Sequence, residues 1–334
     1  MKHRQLAPAT VLLLLTLALA AAAATHVMLG SHRLSCGQVL ATLAGHGDWS
    51  ANLLILHMRL PRLVLSILIG ASVAVSGVVL QGISRNDLAS PDTVGVNAGA
   101  GLGMMCFLVA YPTAAAEWPL ALPVAAMIGA LATTTLVFAL AYRRGSVLPA
   151  RLLLVGIALG FGGHAAMLLF SLRMSFSMYN YVLTWMSGTL AGADWRSILF
   201  LLPFPVLLFP WMLSRARVLD VLGLGDGVAV GLGVPVHRER VVLTTAATVL
   251  TSVCVAIGGQ IGFLGLAAPH LAWRLVGHRQ AALLPAAALC GATLLLVADG
   301  LARHLLAPVE IPAGVLVGIL GGAYFLYLLT TTPG

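Results

Sequence analysis

The chain has 334 residues, of which 60% are hydrophobic and 8% charged. Soluble domains carry about 25% charged residues, so this composition excludes an ordinary soluble protein and predicts a polytopic helical membrane protein. The net charge of +8 needs no nucleic-acid partner, because basic loops facing anionic lipid account for it.

Lys2 and Arg4 precede an apolar run from Leu6 to about Leu29. Ala20 to Ala24 resembles a signal-peptide cleavage region, but the run is long for that role and reads as a retained first span. Residues 31–60 are mixed and polar and read as an external segment. A second span runs from about Pro61 to Gly82 and ends in a polar hinge, Ser84-Arg85-Asn86-Asp87. A glycine-rich third follows from about Val94 to Ala110, a fourth from Leu120 to Tyr142, and a fifth from Arg151 to Leu172. Arg173 to Trp195 reads as external, and a sixth span ends near Leu213. Four more are expected at about Val241–Ile257, Ile261–Val276, Ala281–Ala298 and Pro312–Leu329. No linker divides the chain, which reads as one domain over residues 1–334 with a coupling segment at 214–240.

The stretch Ser214 to Arg240 differs from its surroundings. Arginines frame it, and Val218, Leu219, Val221, Leu222 and Leu224 recur at helical spacing before Gly225 and Gly227 break the run. Its pieces are too short to cross a bilayer, which takes about 20 apolar residues. They read as two short amphipathic helices outside the membrane. A plain solvated loop is the bland alternative; a docking surface for a cytoplasmic partner is the functional one.

Placing the N-terminus inside puts 12 basic residues in the cytoplasm and 6 outside, so both termini are expected inside. The outside group includes Arg59, Arg62 and Arg303, against the bias. Spans two to five then start outside and seven to ten inside, which suits an inverted repeat. The lone lysine, Lys2, excludes a P-loop ATPase, because a Walker A loop needs a lysine after its glycine-rich turn. The cysteines, Cys36, Cys106, Cys254 and Cys290, lie far apart and read as small packing residues.

Arg59-Leu60-Pro61-Arg62, Gly70-Ala71, Ser76-Gly77, Gln81-Gly82, Asn86, Leu88-Ala89, Pro91, Gly95 and Gly99-Ala100 resemble the first signature of the FecCD-type permeases of ATP-binding-cassette importers. Gly259-Gln260-Ile261-Gly262-Phe263-Leu264-Gly265-Leu266, Pro269-His270, Arg274, Ala298-Asp299, Arg303 and Glu310-Ile311-Pro312-Ala313-Gly314 resemble the second half. One departure is Asp87, where the family usually has proline, which removes a constraint on the preceding residue.

The resemblance implies an all-α fold of about ten transmembrane helices, like that of the cobalamin importer, in the bacterial inner membrane. It implies a second permease subunit, identical or paralogous, two cytoplasmic ATPase subunits that use ATP and Mg, and a periplasmic binding protein. The permease is non-catalytic and binds no cofactor or metal itself. The implied cargo is a ferric siderophore, with cobalamin or haem as alternatives.

The resemblance also assigns roles. Arg59, Arg62 and Arg303 become pegs for carboxylates of the binding protein, for which the planar, permanently charged guanidinium suits; snorkelling to lipid phosphate is the bland reading. Leu219, Leu222, Gly225, Asp226, Ala229, Gly231, Leu232 and Gly233 become the surface that couples to the ATPase. Asn86, Asp87, Leu88, Pro149 and Ala150 become the cytoplasmic gate, and spans five and ten line the route. His164 is a polar group at membrane depth, which usually faces a cavity or another helix. A secondary transporter is the competing class. It would be expected to hold a mid-span carboxylate, and the ten acidic residues all read as loop or span-end residues.

Overall fold

The computed structural model describes residues 7–28, 34–111, 118, 120–143, 146–147, 149–306 and 309–331. Lys2, Arg4, Arg33, Glu117 and Arg144 lie outside the described residues, as do the side chains of Arg143 and Pro149.

The chain is built of helices. α1 spans Pro8–Met28, α2 Cys36–Leu43, and α3 Trp49–Asn52. A π-helical stretch, Leu53–Arg59, joins α3 to α4, Leu60–Ser84. α5 is Val96–Ala110, α6 Ala121–Ala141, α7 Pro149–Ser171 and α8 Phe176–Met186. α9, Trp195–Leu201, runs into α10, Pro203–Ser214. Two short helices, α11 (Ala216–Gly223) and α12 (Asp226–Gly231), precede α13, Val236–Gly258. α14 is Leu264–Val276, α15 Gln280–His304 and α16 Ala313–Thr331. Among the described residues the strands are one antiparallel pair, Tyr142–Arg143 with Ser146–Val147, which turns the chain from α6 into α7.

Among the described residues seven helical stretches are long and apolar enough to cross a membrane. The expected third and eighth spans are shorter, 15 residues in α5 and 13 in α14. At 1.5 Å per residue each falls short of the roughly 30 Å hydrocarbon core. Each follows a reversal of the chain: before α5 the chain turns at the bundle end and climbs back alongside α4, and before α14 it turns at Gly259–Phe263.

The first reversal follows α4. Arg85 takes a left-handed conformation (φ 51°) and caps the helix. The Asn86 side chain then accepts a hydrogen bond from the Leu88 N–H at 3.0 Å, so an Asx turn shapes this corner at Asp87. The chain climbs back until Pro91 and Asp92 border the same small cavity as Val73. The second reversal is Gly259–Phe263, between α13 and α14. Trp185 donates to the Ala256 carbonyl at 3.4 Å, and the Gly188 carbonyl accepts from the Gly314 N–H at 2.8 Å. The expected external segment Arg173–Trp195 is therefore partly internal: the end of α8 covers this break.

α4 is the central post, packed on α13, α14 and α15. A Cβ on Gly70 would lie 2.5 Å from the Gly291 carbonyl oxygen, so α4 and α15 cross at backbone contact. The expected polar segment 31–60 is also largely helical. Ser35 and Gln38 form a capping box that starts α2, with the Ser35 N–H donating to Gln38 Oε1 at 2.9 Å.

Candidate functional site

At one end of the bundle gather Arg85, Arg215, Arg217, Arg238, Arg240, Arg274 and Arg279 together with α11 and α12. The two expected short helices exist, but they face the other way from the expectation. Leu219, Leu222 and Ala229 are fully buried in the chain's own core. They join a cluster with Val79, Leu80 and Leu284. Helical apolar periodicity marks the buried face, and here that face packs inward on α4 and α15. Leu224, Val228, Val230 and Leu232 are exposed, with Gly227, Gly231 and Gly233 beside them. The outward apolar surface is thus Leu224 to Leu232 without Ala229. Leu224, Val228 and Val230 are absent from the expected coupling set: Leu224 belongs to the same apolar run as Leu219 and Leu222 yet faces out, and Val228 and Val230 flank the buried Ala229.

Gly225 takes φ 113°, which side chains rarely adopt, and this lets α12 fold back beside α11. Asp226 then pins the corner instead of capping a helix. Its Oδ1 accepts from Arg85 Nη2 at 2.9 Å and from Arg240 Nη2 at 3.0 Å. One carboxylate ties α12 to the end of α4 and to the start of α13. The hydrogen bond from Arg240, reinforced by the charges of Arg240 and Arg85, holds the Asp226 carboxyl below its usual range against the pull of desolvation. A depressed folded value adds stability that is complete above the unfolded carboxylate value of about 4 and is lost as pH falls through the folded one. Wild type should therefore melt above Asp226→Asn at neutral pH. The gap, measured by thermal unfolding, should close only below about pH 4.

Asn86, Asp87 and Leu88 form the corner at this same end, with Asp87 and Leu88 exposed. Pro149 opens α7, and Ala150 is exposed on its first turn. A cavity of about 560 Å3 lies between this corner and α11, lined by Arg85, Asp87, Asp220, His270, Trp273 and Arg279 among others.

The opposite end holds a buried charge network. Arg62 grips Asp299 with two parallel contacts of 2.9 Å, from Nε to Oδ2 and from Nη2 to Oδ1. Its Nη1 donates to Glu310 at 2.9 Å. His26 lies 2.9 Å from Asp299 Oδ2, and Arg303 stands 3.8 Å from the same oxygen. Arg59 donates to the Val27 carbonyl at 2.6 Å and the Met28 carbonyl at 3.3 Å, at the C-terminus of α1 where a cation is favoured. Asp299 is fully buried and Arg59 is 4% exposed. The expectation of three arginines presented outward needs correction. Arg62 pairs with carboxylates more than 200 residues away and Arg59 with carbonyls about 30 residues before it, while Arg303 meets Asp299 one turn earlier on α15, and burial follows from the pairing. Glu310 is the half-exposed member of the set.

The FecCD transport family profile matches residues 12–331. The chain belongs to the FecCD transport family. It is 41% identical over 305 residues to an iron(3+)-hydroxamate import system permease protein of Bacillus subtilis, covering 90% of each chain. It is 40% identical over 293 residues to a vitamin B12 import system permease protein of Vibrio cholerae, covering 86% of each. A solved metal-chelate type ABC transporter in an inward-facing conformation superposes with a TM-score of 0.86 at 30% identity, covering 97% of this chain and all of that one. The FecCD assignment makes the chain a multi-pass membrane protein with the all-α fold of the ATP-binding-cassette importer permeases.

Proposed function

We propose that this chain is the permease subunit of an ATP-binding-cassette importer that carries a ferric siderophore across the bacterial inner membrane. The observation that carries the reading is the outward apolar surface on α11 and α12, at the arginine-rich end and pinned by Asp226. An isolated helix of eight residues is marginal in water, so such an element is suited to a partner's groove. In this reading that end and both termini are cytoplasmic, and the partner is one of two ATPase subunits that bind ATP and Mg. A second permease subunit completes the route. The siderophore cargo is supported by the iron(3+)-hydroxamate relative; the vitamin B12 relative keeps cobalamin as the second cargo to test.

A periplasmic binding protein docks at the opposite end in this proposal. Arg59, Arg62 and Arg303 form the base of that surface. An arriving carboxylate competes with Glu310 for Arg62, because Glu310 is the exposed partner and Asp299 the buried one.

Labelled ferric trihydroxamate, cobalamin and haem offered to the reconstituted complex test the cargo. Uptake of cobalamin alone would overturn the siderophore reading. The gate is tested separately. Leu88→Cys in both permease subunits should crosslink in one nucleotide state and not in another, and crosslinking indifferent to nucleotide would remove Asn86, Asp87 and Leu88 from the gate.

A further inference from the structure

Asp92 is a loop residue in sequence, yet it sits deep in the membrane part. It borders the same small cavity as Val73 of α4. Val73 lies 11 residues before the helix end at Ser84. That is a climb of roughly 16 Å at 1.5 Å per residue. This is about half of a 30 Å hydrocarbon core. Despite that depth Asp92 is exposed in the single subunit. A carboxylate at mid-membrane cannot face lipid tails, because charged groups there line water-filled cavities or pair with other polar groups. Its exposed side therefore faces an aqueous route.

The neighbours are built to hold it there. Asn97 is 9% exposed, and its Nδ2 donates to Asp92 Oδ1. The other Asn97 amide atom, Oδ1, is buried without a hydrogen-bond partner in the protein. Gln260, on the second chain reversal, donates from Nε2 to the Asn97 carbonyl at 3.0 Å. Gly262 lies so close that a Cβ there would stand 3.9 Å from Asp92 Oδ2. α7 packs directly on this loop, since a Cβ on Gly156 would run into the Thr93 carbonyl oxygen, and about two turns further on α7 carries His164, exposed. His164 Nδ1 pairs with the Gly160 carbonyl at 2.8 Å. A carbonyl only accepts, so Nδ1 carries the proton, and Nε2 of the neutral ring is left as an acceptor. The exposed wall at this depth therefore offers the Asp92 carboxylate and the His164 Nε2, two acceptors.

We propose that Asp92 and His164 form a mid-route contact for cargo that presents hydrogen-bond donors, above all a free ammonium group, and that Asn97 and Gln260 are positioning residues for Asp92. This rests on the ferric-siderophore reading and deepens it. A carboxylate set in a low-dielectric wall favours a cationic or donor-bearing chelate over the same chelate with its cation removed.

The test uses the reconstituted complex of permease, ATPase and binding protein. The probes are one ferric trihydroxamate with a free terminal ammonium and its N-acetylated form. Wild type and Asp92→Asn are compared with the same binding protein, so its own preference cancels in the ratio. The expected result is that Asp92→Asn lowers uptake of the ammonium form relative to the acetylated form by about tenfold, while ATP hydrolysis and assembly are retained. His164→Ala should shift the same ratio in the same direction by less. An unchanged ratio in Asp92→Asn, with wild type importing both probes, overturns this inference alone. Equal loss of both probes does so as well, because it marks a structural role. Wild type importing neither probe overturns the trihydroxamate reading and this inference with it.

Discussion

Asp299→Ala is expected to destabilise the protein by about 3 kcal/mol or more, since removing one member of a buried ion pair leaves uncompensated charge behind. Asp299 is fully buried between α1, α4 and α15 and takes the paired contacts of Arg62 together with His26. Without it, the carboxylate left to Arg62 among the described residues is Glu310, which is about half exposed. The loss is read as a lower midpoint in thermal unfolding of the detergent-purified protein. Asp299→Asn should fall between, because an amide oxygen still accepts from Arg62 but carries no charge. Melting of Asp299→Ala at the wild-type midpoint would show that the network contributes nothing. Reversal of Arg59 and Arg62 to glutamate should likewise damage the fold before any docking effect is seen, as both guanidinium groups are held inside the protein.

Val228→Arg is expected to leave the permease folded and to weaken ATPase association about 100-fold, because an unpaired charge buried in a partner's groove costs several kcal/mol. Val228 is 48% exposed on α12, so the isolated permease should tolerate arginine there. Ala229, one residue on, is fully buried, and arginine there should overpack the core under α12 and prevent folding. The pair separates coupling from stability. Co-purification of the ATPase is the first readout and thermal unfolding of the permease the second. A folded Val228→Arg permease that retains the ATPase and transports normally would reduce α11 and α12 to a solvated corner.

The reversed facing of α11 and α12 shows what a single sequence carries. Spacing places two short helices between Arg215 and Gly233, and glycine places the corner at Gly225. Periodicity cannot say whether the apolar stripe serves the chain's own core or a partner, because both bury the same residues. The cationic end has the same limit. Arg59, Arg62 and Arg303 stand out against the charge bias, but Asp299 lies 237 residues from Arg62, and that distance hides the pairing. Asp92 is hidden differently. A short polar stretch between two apolar runs reads as a loop outside the membrane. Here the chain doubles back along α4, and a carboxylate reaches mid-depth without belonging to a span. The expectation that every acidic residue sits at a loop or span end is true of the sequence and misleading about depth.

That carboxylate also sharpens the contrast between an importer driven by ATP and a carrier driven by an ion gradient, since a mid-depth acid is what the second class would use. The most direct measurement is accumulation of labelled ferric trihydroxamate by proteoliposomes holding the permease with its ATPase, with binding protein supplied on the side opposite the ATPase. The account predicts accumulation that requires ATP hydrolysis and is insensitive to collapse of proton and sodium gradients. Accumulation without ATP, driven by either gradient, would contradict it.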